Sequence, residues 1–304
     1  PVAPDAGTSA PGGGGTPESV LAVGGVPAGG RPLGDAALLA TGPDGPAYLI
    51  WHRRRYPAPD LALVRRAFGW TDQPVTVATA FADALEQGPD LAPPKIPGFG
   101  ERTGVGQRPV GSVVVVDTQG GARQYAVVLA AGLAPITQVQ ADLLLSDPDY
   151  VRRLGRNTAE QFTQGQYALV PQVSLPGGPG TLPATTPRLL RPSTVESATC
   201  AGGADVAVDV PAGVLAGAVA TGGGRYADRV LVPPGRGALV ASGGPVSLVT
   251  DLGVRYPVPT TQAQAALGYP GVSPVGVAAA LLALVPAGRS LDPDAARSPA
   301  SLTD

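Results

Sequence analysis

The sequence predicts an α+β protein in which small repeated units, each a three-strand meander with two short helices, flank a β-rich centre. Three observations predict it. Arg255-Tyr256-Pro257-Val258-Pro259 echoes Arg55-Tyr56-Pro57-Ala58-Pro59, 200 residues apart. The echo extends upstream (Leu38-Leu39-Ala40-Thr41-Gly42 against Leu239-Val240-Ala241-Ser242-Gly243) and downstream (Phe68-Gly69-Trp70 against Leu267-Gly268-Tyr269), with the offset held between 199 and 201. A register kept over roughly fifty residues marks a duplicated structural unit. Glycine and proline punctuate both copies, and Val-rich runs between 206 and 232 read as further strands.

In chain order, residues 1–35 read as a linker and extended lead-in, rich in Pro, Gly, Ser and Ala up to Gly15 and disordered to about residue 17. The first unit spans 36–97. Asp60 is placed as a helix N-cap ahead of Leu61, Leu63, Val64, Ala67 and Phe68, and a second helix is expected over 77–87. Ala92-Pro93-Pro94-Lys95-Ile96-Pro97 reads as a rigid exit linker. Residues 105–234 read as the β-rich centre, with a degenerate middle repeat over about 110–147. Its strands are Val113 to Val116 and Gln124 to Leu129, and Thr137 is placed to cap a helix through Val139, Leu143 and Leu144. A charged helical patch at 149–156 is followed by loop composition. The runs 206–210, 214–220 and 230–232 are expected to pair with the strands near 113–129 as a central sheet.

The last unit spans 235–293. Leu239 to Ala241, Val246 to Thr250 and Val254 to Tyr256 read as its strands. Gly253 is available for a turn with positive φ, and Pro257 and Pro259 are expected to end the sheet. A second helix is expected over 276–285. Residues 294–304 read as a loose tail.

Composition narrows the function classes. A net charge of −2 with scattered arginines gives no nucleic-acid footprint, and no apolar run of ~20 residues offers a membrane span. The 44% hydrophobic content argues for packed cores despite 43 Gly and 35 Pro. The opening stretch reads as the start of a soluble piece of a longer chain.

The catalytic inventory is sparse. His52 is the single histidine, so a zinc site of the usual His- or Cys-rich kind is not expected, and no Gly-x-Ser-x-Gly elbow accompanies it. Lys95, the single lysine, lies among prolines rather than after a phosphate-binding glycine loop. The glycine-rich Gly100-Glu101-Arg102-Thr103-Gly104-Val105-Gly106 opens no helix. Asp147, Asp149, Asp292 and Asp294 read as helix-start or loop acids, and Arg53-Arg54-Arg55 as an exposed turn. No catalytic, cofactor or metal-binding residue is expected. Cys200, the single cysteine, is either a buried thiol or one half of a bridge to a residue outside this chain.

Two stretches carry a family likeness. Val232-Pro233-Pro234-Gly235-Arg236-Gly237-Ala238-Leu239-Val240 and Leu248-Val249-Thr250-Asp251-Leu252-Gly253-Val254-Arg255-Tyr256-Pro257-Val258-Pro259 closely resemble EccB, a membrane component of actinobacterial type VII (ESX) secretion systems. The resemblance continues through Gly30-Arg31-Pro32-Leu33-Gly34-Asp35, Leu91-Ala92-Pro93-Pro94 and Gln140-Ala141-Asp142-Leu143-Leu144, covering about residues 18–295.

The resemblance implies an extracytoplasmic, periplasmic-side part anchored by an N-terminal membrane helix that is absent here. It also implies repeats in approximate two-fold arrangement about a central domain. Implied partners are other EccB copies, EccC, EccD and EccE, with the mycosin protease nearby, and no nucleic acid. It implies that Cys200 pairs with a cysteine upstream of Pro1. The expected function is a structural and assembly component of the secretion machine. One alternative is ATP hydrolysis, a label some family members carry. The other is a cell-wall glycan-binding module, for which Trp51, Trp70 and Tyr269 are the aromatics to inspect.

Overall fold

The computed structural model describes residues 2–4, 18–23, 29–43, 45–102, 105, 107–118, 120–175, 182–193, 197–202, 205–223, 225–293 and 297. Three short strands open the chain: β1 (Val2–Pro4), β2 (Ser19–Ala22) and β3 (Arg31–Pro32). The lead-in is therefore partly sheet. Ser19-Val20-Leu21-Ala22 is buried along its whole length, and burial of that kind is what a mobile linker lacks. The disorder expected over 5–17 lies outside the described residues.

The first unit follows as β4 (Leu38–Thr41), β5 (Ala47–Trp51), β6 (Arg54–Ala58), α1 (Leu61–Phe68), β7 (Val75–Thr76), α2 (Thr79–Asp83) and β8 (Glu86–Gln87). Helix α1 begins where Asp60 accepts the Leu63 N–H at 2.8 Å and ends at Gly69, whose φ of 66° only glycine adopts freely. The middle segment holds β9 (Val113–Asp117), β10 (Arg123–Leu129), β11 (Gly132–Ile136), α3 (Gln138–Ser146), α4 (Pro148–Leu154), β12 (Glu160–Phe162) and α5 (Gln164–Ala168). A reciprocal capping box between Thr137 and Gln140 starts α3.

Next come β13 (Ser197–Gly202), β14 (Asp205–Pro211), a 3-10 turn (Ala212–Leu215), β15 (Val219–Ala220) and β16 (Arg229–Leu231). The last unit comprises β17 (Gly237–Ala241), β18 (Val246–Thr250), β19 (Arg255–Val258), α6 (Thr261–Ala266), β20 (Val275–Gly276) and α7 (Ala279–Ala283).

The architecture is mixed α+β, with four sheets among the described residues. Three are small and share one order of connection: an antiparallel meander, one helix (two in the middle segment), then a short strand returning parallel to the first. Their orders are β7-β4-β5-β6-β8, β11-β10-β9-β12 and β19-β18-β17-β20. The returning strand extends each meander beyond the three strands expected. Pro259 follows directly on the end of β19, as expected, whereas Pro257 lies inside β19, as Pro57 lies inside β6. These are the outer strands of their meanders, where a missing N–H costs no internal ladder bond.

The hairpin register refines the echo. Leu39 faces Leu49 and Leu239 faces Leu248, so matching first-strand positions lie 200 apart, not 201. A one-residue slip would turn every side chain to the other face, so the sheet follows burial rather than the best letter match.

The fourth sheet has seven strands, ordered β15-β16-β2-β1-β13-β14-β3. The expected pairing of the 206–232 strands with those near 113–129 is thus corrected. They pair with the lead-in, while 113–129 forms its own sheet with β12. Residues 214–220 are mostly the 3-10 turn and a two-residue edge strand, not one long strand.

A single apolar cluster joins this sheet to the first and last units. Val206, Val208 and Val230 of the sheet meet Phe81 and Leu85 around α2, and Leu282 and Val285 around α7. Each fully buried side chain of this size contributes about 1.5–3 kcal/mol. The middle segment docks elsewhere: Val139 and Leu143 of α3 pack with Val64 of α1, Leu49 and Tyr56.

Candidate functional site

Among the described residues, no group of three His, Cys, Asp or Glu side chains converges to hold a metal ion. His52 and Arg53 form the β5–β6 turn with φ of 46° and 62°. The His52 ring stacks on Trp51 at 3.8 Å between centroids, and Nε2 lies 3.1 Å from Asp35. Arg54 pairs with Glu86 at 3.0 Å, and Arg55 pairs with Asp83 at 2.6 Å while lying over the Tyr48 ring. The basic run is therefore tied to its own unit's acids.

Lys95 is exposed on irregular backbone. In the neighbouring glycine loop, the Gly100 N–H donates to Val110 and the Glu101 N–H to Gly98, so these amides turn inward rather than towards an anion. Thr103, Gly104, Gly106 and Asp294 lie outside the described residues. Asp147 caps α4 by accepting from the Asp149 N–H, Asp149 pairs with Arg152, and Asp292 is half-buried at the end of the last unit.

The three aromatics do not form matching open platforms. Trp51 is covered by His52, Trp70 meets Phe68 edge-on at 4.8 Å, and Tyr269 packs in its unit's core.

Cys200 is 1% exposed in β13, among Val20, Ala198, Val210, Leu215 and Ala218. Burial pushes its thiol up to about 12, which removes it as a nucleophile near neutral pH. In the middle unit, Glu160 receives Arg108 through both oxygens, at 2.5 and 3.0 Å, and Arg156 at 3.2 Å. The Arg108 hydrogen bonds hold its carboxyl below the usual carboxylate range. Arg108 also lies over Phe162 at 4.7 Å, so this cluster fastens β12.

Leu252, Leu267, Val272 and Val275 of the last unit are exposed, whereas Val75, in the place of Val275, packs against the central cluster of the first unit. Leu252 is 68% and Val275 63% exposed. The β18–β19 tip rests on the central sheet, because a Cβ on Gly253 would stand 3.4 Å from Val230 and 3.8 Å from Val219.

Sequence reasoning missed one polar junction. Arg31 Nη2 reaches Asp209 at 2.8 Å, the Arg191 carbonyl at 2.8 Å and Ser193 Oγ at 3.1 Å. Its only trace in the sequence is an acid within the apolar run 206–210.

Small sheet-and-helix bodies are fastened together by apolar contacts, the first and last to a shared sheet and the middle one to the first. The family profile "Type VII secretion system ESX-1, transport TM domain B" matches residues 7–301. The chain belongs to this family, EccB.

Among curated relatives, "ESX-3 secretion system ATPase EccB3" of Mycolicibacterium smegmatis is 29% identical over 276 residues, covering 80% of this chain and 52% of the relative. The chain thus spans about half the length of that protein. "Structure of EccB3 dimer from the ESX-3 core complex" aligns with a TM-score of 0.70 at 24% identity, covering 95% of this chain and 80% of the other. "Structure of the periplasmic assembly from the ESX-5 inner membrane complex, C1 model" aligns with 0.68 at 22%, covering 100% and 79%. Both likenesses establish the fold. No helix among the described residues is long and apolar enough to cross a membrane.

Proposed function

We propose that this chain is an extracytoplasmic structural and assembly part of a type VII secretion inner-membrane complex. The carrying observation is that the first and last units both seat their second helices, through Phe81 and Leu85 and through Leu282 and Val285, in one cluster of the central sheet. A body of that build presents surfaces in fixed relation, as an assembly component must. On this reading the three small sheets are copies of one ancestral unit. The first and last stand in approximate two-fold relation, and 36–97, 110–147 and 235–293 are repeats about a centre.

The partners on this reading are further copies of the chain, with EccC, EccD and EccE, and with the mycosin protease alongside. The longer protein is anchored to the cell membrane. Cys200 pairs with a cysteine upstream of Pro1.

ATP hydrolysis, the activity in the relative's name, is the less favoured reading. Phosphoryl transfer needs positive charge aimed at the γ-phosphoryl oxygens, and Arg54 and Arg55 are held by Glu86 and Asp83. Glycan binding is also less favoured, because His52 covers the Trp51 face that a sugar ring would use.

The test is recovery of the membrane complex from cells carrying a tagged protein whose last-unit surface bears Leu252→Asp and Val275→Asp. Loss of EccC, EccD or EccE from a folded variant is expected, and full recovery would count against the reading. In parallel, the purified chain is expected to release phosphate from ATP no faster than an Arg53→Ala/Arg54→Ala/Arg55→Ala variant. Turnover above about 1 per second that vanishes in the variant would restore the hydrolase.

A further inference from the structure

We propose that residues 182–193 form a strap that sets how the first unit sits on the central sheet and how the middle unit sits against the first, with Asp209 as the positioning residue that clamps its far end. The strap has no sheet or helix of its own, yet it touches all three bodies. At its start, Leu182 packs with Val139 and Leu143 of α3, and the Ala184 carbonyl accepts the Gln138 N–H at 3.0 Å. In its middle, the Ala37 N–H donates to Arg188 at 2.9 Å and the Leu190 N–H to Ala37 at 2.8 Å. Leu190 enters the central cluster, and Arg191 pairs with Asp72 of the first unit.

At its end, Asp209 accepts the Ser193 N–H at 2.5 Å, Ser193 Oγ at 3.0 Å and Arg31 at 2.8 Å. Arg31 in turn holds the Arg191 carbonyl. Strap, lead-in strand β3 and central strand β14 thus meet on one carboxylate.

The backbone is shaped for this contact. The β13–β14 register shifts between Ala198 and Cys200, and Asp209 has φ of 58°, a left-handed conformation in mid-strand. Bulges re-aim side chains, and a non-glycine residue persists there only when its surroundings over-determine it. Burial opposes ionisation of Asp209, but the Ser193 and Arg31 hydrogen bonds outweigh it, so the clamp is charged at neutral pH. A residue needed only to pair β14 would gain nothing from this geometry.

The experiment is amide hydrogen exchange on the full chain, wild type against Asp209→Gly. Glycine accepts a positive φ, so the bulge is retained and only the carboxylate is lost. The amides of Ser193, Leu190, Ala37 and Gln138 are expected to exchange together, about tenfold faster, as the release of a charged hydrogen-bond junction implies. Those of Leu49 and Val127 are expected to stay unchanged. Faster exchange at Ser193 alone, or at none of the four, overturns the strap. Arg31→Gln leaves the bulge untouched and carries the same test should Asp209→Gly not fold. Unchanged exchange at Leu190 and Ala37 in that variant also overturns it.

Discussion

Tyr56 lies flat against Gly88: a Cβ built on that glycine would stand 2.6 Å from both Cδ1 and Cε1 of the ring. Tyr256 and Gly288 repeat the arrangement at 2.7 and 2.5 Å. The Gly88 N–H donates to Arg55 and the Gly288 N–H to Arg255, each at 2.8 Å, so the same hydrogen bond holds each close approach. Gly88→Ala is expected to destabilise the protein by about 1–3 kcal/mol, the range for overpacking. Gly288→Ala is expected to cost less, because Tyr256 is only half-buried and its ring can swing outward whereas Tyr56 cannot. Urea unfolding of the two variants checks the order, and a larger loss for Gly288→Ala would contradict it.

Cys200 is expected to be inert to alkylation at pH 8 in the folded chain and to react at once when unfolded. With a folded value of about 12, about one thiol in 10⁴ is ionised at that pH. The sign follows. The folded value is raised above the unfolded one, so the stabilisation is complete below the ordinary thiol range and is lost as pH rises towards about 12. Thiolate absorbance against pH measures this directly.

Glu160 gives the opposite dependence. Its folded value is lowered, first by the Arg108 hydrogen bonds, so its contribution is present above the ordinary carboxylate range and is lost as pH falls below it. Glu160→Gln is expected to cost about 1 kcal/mol at pH 7, the upper end for a pair near the surface. The difference from wild type should vanish in acid. A pH-independent loss would mean that packing, not charge, holds β12.

Leu143→Ala tests the joint between α1 and α3. Leu143 is fully buried among Val64, Leu49 and Tyr56, so a loss of about 2–5 kcal/mol is expected. Because the middle unit reaches the rest of the chain through this joint and the strap, it is expected to unfold earlier than the first unit in the variant. Loss of protection at Val127 before Leu49 in hydrogen exchange would show it.

The first and last units were legible because their determinants are local. Asp60 and Gly69 bracket α1 within ten residues, and Gly253 takes the positive φ of 73° that its turn requires. The central sheet was not legible, since β2 pairs with β16 from more than 200 residues away and nothing in either run names the partner. The returning strands β7 and β20 are two residues long, too short for an alternation to register. Among candidate site residues, the exposed turn position of His52 and the exposed irregular backbone at Lys95 were readable. The Arg31–Asp209 contact was not, because it depends on a bulge that alternation cannot reveal.

The prolines inside the outer strands bear on behaviour at high concentration. Pro57 and Pro257 have no N–H to offer a neighbouring chain, and their carbonyls already accept from Leu91 and Leu291, at 2.7 and 2.8 Å. Pro135 occupies the outer strand of the middle sheet in the same way. A passing strand therefore finds no donor at these three positions and, at Pro57 and Pro257, no free acceptor, which hinders pairing along these strands. Two copies brought together along these strands would meet through side chains rather than by joining their sheets.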